Sequence, residues 1–311
     1  MDLAHGTPIP GAYAGVSGDV TFVDTPDGPI VVKRALGKLK VVADWYASPE
    51  RNAVEADCLR VLADVLGQHA VPRVLWVDRQ QHMFGMERLP ETLVPWKARL
   101  LACDVDVQTA HRVGQLLGQM HTRTRERTDL AIAFDDLTYL RTLRINPYHV
   151  RVAERRPDLA PAVEEVIRGM LTNRQCLVHG DFSPKNLLTD GPRVVLLDCE
   201  VAHWGDPRFD LAFCLCHLLL KIIHAESCAD RLVEAANAYL ESYAREGLDV
   251  MDFELSRATG CLVLARVIGD SPVDYLHTDE LRAAASHLGE RLLLEPAPVN
   301  ALARRAMEAR P

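Results

Sequence analysis

Three residue types at fixed spacing carry the first chemical signal: His179, Asp181 and Asn186 in His179-Gly-Asp-Phe-Ser-Pro-Lys-Asn186, with a further aspartate, Asp198, downstream. The set combines a carboxylate able to accept a hydroxyl proton, an amide able to ligate a hard cation without adding charge, and a second carboxylate as an anionic oxygen ligand. Phosphoryl transfer asks for this combination. Its transition state is loose, so the protein mainly positions the acceptor hydroxyl and neutralises phosphate charge. On charge alone, Asp181 is the catalytic candidate that orients and deprotonates a hydroxyl, and Asn186 and Asp198 are the candidate ligands for Mg2+.

The spacing His-x-Asp-x-x-x-x-Asn is that of a kinase catalytic loop. The flanking sequence supplies the geometry such a loop needs. Gln175 to Val178 reads as a short buried strand into the loop and Asn186 to Leu188 as a strand out of it. Thr189-Asp-Gly-Pro192 reads as a turn, and Arg193 to Leu197 as a returning strand. The hairpin is expected to bring Asp198 back beside Asn186. A lone Asp or Asn at a turn usually caps backbone groups; the whole constellation argues for chemistry.

Further elements are needed to hold a nucleotide against this loop. A small-residue loop at Tyr13 to Gly18, a strand at Val20 to Val23, a turn at Thr25 to Pro29 and a strand at Ile30 to Lys33 form a candidate lid over phosphates. Gly15, Ser17 and Gly18 are its nucleotide-binding candidates, since glycine lets backbone N–H groups approach oxygen atoms closely. Lys33 ends an apolar strand, where a lysine gripping the α- and β-phosphates belongs. The run from Pro49 to Leu66 has helical spacing, with Ser48 as a candidate cap. It carries Glu55 as the expected partner of Lys33 and Glu50 as the alternative. Two more strands, Val71 to Val77 and His82 to Arg88, lead to a break at Leu89-Pro90, where the main chain of Glu87 to Leu89 is expected to meet an adenine ring. Beyond residue 91 the pattern is helical, as in Val107 to His121, Leu159 to Leu171 and Cys228 to Ala244. The expected division is a nucleotide-binding lobe at 1–90 and a catalytic and acceptor-binding lobe at 91–311.

Composition narrows the partners. With 311 residues and a net charge of −8 the chain has no basic footprint for nucleic acid. Lys221 closes the apolar run Leu211 to Leu220 well short of a membrane span. The acidic start and the lack of a basic-then-apolar leader point to the cytoplasm and to no membrane partner. The eight cysteines show no metal-binding spacing and are expected to be free, buried thiols. His121 is expected to be structural or a helix-end cation, Asp206 to cap the following helix or, as the alternative, to face the acceptor pocket, and the tail from Glu295 to form a short helix or fray.

With these pieces in order, the chain resembles the aminoglycoside phosphotransferase and choline kinase superfamily, the small-molecule relatives of protein kinases. The likeness runs over about 200 residues, from Gly15-Val-Ser-Gly18 through Lys33, Glu55 and His179-Gly-Asp-Phe to Asp210. Val31-Val-Lys-Arg-Ala-Leu36, Ala43-Asp-Trp45 and Ala265-Arg-Val-Ile-Gly-Asp-Ser-Pro272 are similar to its methylthioribose-kinase-like bacterial branch. The resemblance implies an α+β, bilobal, protein-kinase-like fold: a β-rich N-lobe with one main helix, a larger helical C-lobe, and ATP (GTP as the alternative) with Mg2+ in the cleft. It places Lys185 near the γ-phosphate and makes Asp210 a brace of the catalytic loop. Asp198-Cys-Glu200 stands where a protein kinase has Asp-Phe-Gly. Gly205-Asp-Pro-Arg-Phe-Asp210 follows directly, with no activation segment, which looks like the small-molecule branch. The implied activity is O-phosphorylation of a small molecule, a sugar or a sugar-bearing antibiotic of the aminoglycoside or nucleoside resistance type. The alternatives are a metabolic sugar or amino-alcohol kinase and a nucleotide-binding pseudokinase module.

Overall fold

A computed structural model describes residues 7–8, 18–37 and 47–311. Gly15, Ser17 and Ala43 to Trp45 lie outside the described residues.

Strand β3 (Gly28–Ala35) explains the architecture of the first lobe. Ile30, Val31, Val32 and Lys33 are buried in succession, a run that suits a strand covered on both faces and not an alternating surface strand. β3 lies at the centre of an antiparallel sheet of order β1-β2-β3-β5-β4, formed with β1 (Thr7–Pro8), β2 (Gly18–Thr25), β4 (Val74–Asp78) and β5 (Met83–Glu87). Helix α1 (Arg51–Leu66) packs against the sheet through Ala56, Cys58, Leu59 and Leu62. It starts without a side-chain cap, and Ser48 Oγ instead accepts from the N–H of Glu50 at 3.3 Å. The strand expected from Val71 begins only at Val74, because the preceding turn docks on the other lobe: Ala70 O accepts from Leu196 N at 2.8 Å.

The second lobe is helical around two small sheets. One joins β6 (Val94–Pro95), β8 (Leu187–Thr189) and β9 (Val194–Leu196); the other pairs β7 (Cys176–Val178) with β10 (His203–Gly205). Its helices begin with α2 (Trp96–Leu101), α3 (Val107–Thr124), α4 (Thr128–Ala133) and α5 (Thr138–Leu140). A π-helix (Arg141–Val150), α6 (Arg151–Arg155) and α7 (Ala160–Thr172) follow. After the catalytic segment come α8 (Pro207–His224), α9 (Ala229–Ala244), α10 (Phe253–Ile268), α11 (Asp279–Leu294) and α12 (Leu302–Glu308). The apolar run singled out in the sequence becomes α8, buried nearly all round, so it is the central helix of the lobe's core. Asp206 caps it by accepting from Arg208 N at 3.0 Å. The tail expected to form a short helix or fray is ordered as α12, seated through Leu302, Ala303 and Ala306. No helix among the described residues is long and apolar enough to cross a membrane.

One expectation is corrected. Cys103 and Cys228 are joined by a disulfide, with Cα atoms 5.7 Å apart across 125 residues of sequence, while the other six cysteines are free and buried. Spacing along the chain holds no trace of this pair. It forms because α3 and α9 pack side by side, closely enough that a Cβ on Gly114 would lie 2.1 Å from Tyr239 O.

Candidate active site

The catalytic loop runs from β7 to β8 and is held by its backbone. Gly180 has φ +80°, and a Cβ there would meet Val201 O at 2.5 Å, so only glycine fits between His179 and Asp181. Asp210, fully buried in the first turn of α8, accepts from His179 N at 2.6 Å and Gly180 N at 2.9 Å. His121 Nε2 stands 3.3 Å from the same carboxylate, and His121 Nδ1 lies 2.9 Å from Tyr243 OH. Both expectations hold here: Asp210 is a brace and His121 is structural. The His179 ring ties the two halves of the hairpin. Its Nδ1 accepts from Asp181 N at 3.1 Å, which leaves Nε2 as the donor to Leu197 O at 2.9 Å. The hairpin closes as expected, with Leu187 opposite Leu196 and Leu197 N donating to Asn186 O at 2.9 Å.

Asp181 projects from this loop into a ring of donors. Asn186 Nδ2 donates to its Oδ2 at 2.8 Å and to its main-chain oxygen at 2.9 Å; Lys185 Nζ lies 2.8 Å from Oδ2. Arg144 Nη2 lies 3.2 Å from Oδ1, and Arg144 Nε donates to Gly180 O at 2.7 Å. Burial pushes the Asp181 carboxyl up, but Arg144 and Lys185 together outweigh it and hold the group below its ordinary value. The carboxylate is therefore ionised at neutral pH. Sequence reasoning missed Arg144. It comes from the π-helix, where Pro147 has no N–H to give to the carbonyl four residues back, and no motif marks the position.

The nucleotide side is built from ion pairs. Lys33 Nζ lies 2.8 Å from Glu55 Oε1 and 2.7 Å from Oε2, so Glu55 and not Glu50 is its partner. Lys33 also bonds Asp198, which reaches across from the other lobe in a left-handed backbone conformation, φ 65°. Burial works against charge on Lys33, yet Asp198 and Glu55 overcome it and hold the ammonium well above its usual range. Burial pushes Glu55 the other way, up to about 8. Glu200, a residue the sequence reading left without a role, lies beside them: one carboxylate oxygen each from Glu55, Asp198 and Glu200 fall within 4.8 Å of one another. Arg51 Nε lies 3.0 Å from Glu200, so Lys33 and Arg51 face three carboxyl groups. That hard-oxygen donor set, with the amide of Asn186 just ahead of β8, suits a divalent cation.

Of the remaining candidates, Gly18 opens β2 opposite Ala35, and Gly15 and Ser17 fall outside the described residues. Glu87 ends β5 with its N–H and carboxylate both bonded to Arg73, each at 3.0 Å. Leu89 packs on Leu93, Leu188 and Val195, which seats the connection between lobes on the catalytic hairpin.

The family model described as "Phosphotransferase enzyme family" matches residues 9–253. A methylthioribose kinase of Geobacillus kaustophilus (strain HTA426) is 25% identical over 86% of this chain and 81% of its own. One of Bacillus cereus (strain G9842) is 22% identical over 67% of this chain; the match spans 60% of that relative's length. Among solved structures, the amicoumacin kinase hAmiN in complex with AMP-PNP, Ca2+ and Ami is similar, with a TM-score of 0.54 and 15% identity over 94% of this chain and 89% of that one. A streptomycin-ATP-APH(2")-IIa ternary complex has a TM-score of 0.51 and 14% identity over 96% and 93%. At such identities the structures speak for the fold, a bilobal kinase-like one with a β-sheet N-lobe and a helical C-lobe. With the family model matching most of its length and both lobes in place, the chain belongs to the phosphotransferase enzyme family.

Proposed function

We propose that the protein transfers the γ-phosphoryl group of Mg-ATP to a hydroxyl of a sugar-like small molecule. The observation that carries this reading is Asp181, kept ionised between Arg144 and Lys185 on a loop whose backbone Asp210 fixes. Asp181 accepts a hydrogen bond from the acceptor hydroxyl and takes its proton as the oxygen attacks phosphorus. Lys185 and Arg144 neutralise charge spreading over the equatorial oxygens. Lys33, oriented by Glu55, holds the α- and β-phosphates, and the main chain from Glu87 to Leu89 receives the base. Gly15, Ser17 and Gly18 cover the phosphates. Asn186 and Asp198, with Glu200 alongside, would hold Mg2+, which would withdraw charge from the phosphate oxygens. A cytoplasmic location fits ATP as the donor.

The sequence relatives favour a sugar metabolite over a sugar-bearing antibiotic, since both are named methylthioribose kinases and one aligns over most of the chain. The test is Mg-dependent ADP release from ATP and from GTP across free sugars, amino alcohols, aminoglycosides and nucleoside antibiotics, with Asp181→Ala as control. Stimulation by one class that vanishes in the variant supports the reading; turnover that persists in Asp181→Ala sinks it. Mg-ATP binding with no turnover on any class would leave a binding module.

A further inference from the structure

Beyond Asp181, the floor of the helical lobe carries more positive charge than its neighbours neutralise. The guanidinium of Arg144 lies over the rings of Tyr148 and Phe213, 5.7 Å from each centroid, and those two rings stack at 6.0 Å. On the Tyr148 side stands Arg266 of α10, 5.6 Å from the ring, donating from Nη1 to Tyr148 OH at 3.1 Å and to Ser271 Oγ at 2.8 Å. On the Phe213 side, successive turns of α8 present His217, whose ring is 5.6 Å from that of Phe213, and then Lys221. Lys221 Nζ donates to His217 O at 3.3 Å and sits 4.9 Å from the centroid of Tyr275.

Charge accounting separates these cations from the catalytic ones. Arg144 and Lys185 share Asp181, and Lys97 is paired with Asp274 at 2.9 Å. Arg266 and Lys221 have no carboxylate within ion-pair distance among the described residues, although Lys221 is only 1% exposed. Burial, then the charges of Arg266, Lys221, Lys185 and Lys97, push His217 well below its ordinary pKa, which fits one-sided positive surroundings. Two buried polar atoms here also lack a partner: Tyr275 OH, on a side chain 95% buried, and Arg266 Nε. Burial, and then Lys97, brings Lys221 down to about 7, so its amine is only partly charged until an anion draws it to the ammonium form, and one anionic group with several oxygen lone pairs would satisfy it together with the unpaired donors.

The geometry points to an acceptor that carries an anionic group, a carboxylate or a phosphate, bound by Arg266, Lys221 and Tyr275 OH while its hydroxyl faces Asp181. This rests on the proposed phosphotransferase reading. The anchor uses different side chains from the phosphoryl-transfer position: Arg266 donates to Tyr148 OH and Lys221 sits over Tyr275, whereas Arg144 and Lys185 hold Asp181. It selects by charge: a polycationic aminoglycoside or a quaternary amine meets Arg266 and Lys221 head on, whereas a sugar acid or sugar phosphate is drawn in.

The test fills the nucleotide site with Mg-AMP-PNP, so that the γ-phosphate position is occupied, and measures binding of four probes by calorimetry. They are inorganic phosphate, glucose 6-phosphate, glucuronate and neutral glucose. Saturable binding of phosphate is expected, together with binding of at least one anionic sugar about tenfold or more tighter than glucose; the glucuronate and glucose 6-phosphate arms tell carboxylate from phosphate. Arg266→Met and Lys221→Met are each expected to weaken the anionic probes about tenfold or more with AMP-PNP affinity unchanged, and Arg266→Lys to recover part of the loss. Unaltered AMP-PNP affinity also shows that each variant is folded. Absence of phosphate binding, equal affinity for glucose and its anionic counterparts, or anion binding that survives both Met variants overturns the proposal. Failure of the phosphotransferase reading registers elsewhere, as turnover that persists in Asp181→Ala.

Discussion

The two halves of the cleft hold their functional side chains by different physics. On the N-lobe side, Lys33, Glu55 and Asp198 are ion-paired across elements far apart in the chain, with Arg51 and Glu200 closing the group. On the C-lobe side, Asp181 sits on a loop fixed by neutral backbone donors: Asp210 takes the N–H groups of His179 and Gly180, and His179 spans to Leu197. Ion pairs exchange partners when a charged nucleotide and a cation arrive. Backbone hydrogen bonds to a buried carboxylate do not. The C-lobe loop is thus preformed, although the Asp181 carboxylate it carries is itself ion-paired with Arg144 and Lys185, and the N-lobe site is poised to be rearranged by its ligand.

The sharpest way to break this contrast is at Asp181. Asp181→Asn keeps the shape but removes the base, and kcat is expected to fall by roughly 10²–10⁴-fold while the KM for Mg-ATP stays close to wild type. Steady-state kinetics check it; a large rise in the nucleotide KM would mean that the two sides are one unit. Next in size is Asp210→Ala, which strands two buried N–H groups and is expected to cost about 2–5 kcal/mol in denaturant unfolding, with activity lost in parallel. Stability near wild type would show that the loop is held by something other than Asp210.

The same contrast explains what was legible in the sequence. The C-lobe loop is local: His179, Asp181, Asn186 and Asp198 lie on one hairpin, so spacing and turn chemistry suffice to assemble them. Lys33 and Glu55 were readable because a strand and the following helix have few ways to pack. Arg144, Arg266 and Lys221 were not, since each arrives on a helix whose rotation is set by distant partners. The Cys103–Cys228 bridge has the same origin, in the packing of α3 on α9. The strands of the first lobe and the helices near Val107, Leu159 and Cys228 followed from periodicity, with ends shifted as at Val74 and Arg51, where docking and not propensity sets the boundary, whereas β1, β6, β10 and the π-helix were not foreseen.

Acid offers a third probe, because the buried neutral histidines belong to the helical lobe. His149 is 1% exposed, and burial brings it from 6.5 down to about 4. Its folded pKa is depressed, so as pH falls from about 6.5 to about 4 the unfolded chain binds a proton that the native protein refuses. Stability is lost over that window, by about 3 kcal/mol for this residue. Unfolding free energy measured against pH is expected to fall on the acid side, and His149→Phe to flatten that limb. An unchanged acid limb in the variant would assign the loss to other groups.

The smallest effect is expected where intuition predicts a large one. Removing one partner of a buried ion pair usually leaves a costly unpaired charge. Lys33→Met should escape that cost, because Glu55 already lies at about 8 beside Asp198 and Glu200 and rises further once the ammonium is gone. It takes up a proton, and Asp198, which loses the same partner, has a side chain 20% exposed in the cleft and keeps its contact with water. Stability at pH 7 is expected to change by less than about 1 kcal/mol, while the KM for Mg-ATP rises roughly 10–100-fold through lost phosphate contacts. The sign of the pH dependence separates this from simple tolerance. A carboxyl whose folded pKa is raised contributes stability at low pH and loses it as pH climbs to that pKa; in the wild type the loss ends near 8, and in Lys33→Met it continues above 8. The two stability profiles should therefore run together through neutral pH and diverge above about pH 8, with the variant the weaker. A variant already several kcal/mol weaker at pH 7 would mean that Glu55 stays ionised, and that the N-lobe pair is as fixed as the C-lobe loop.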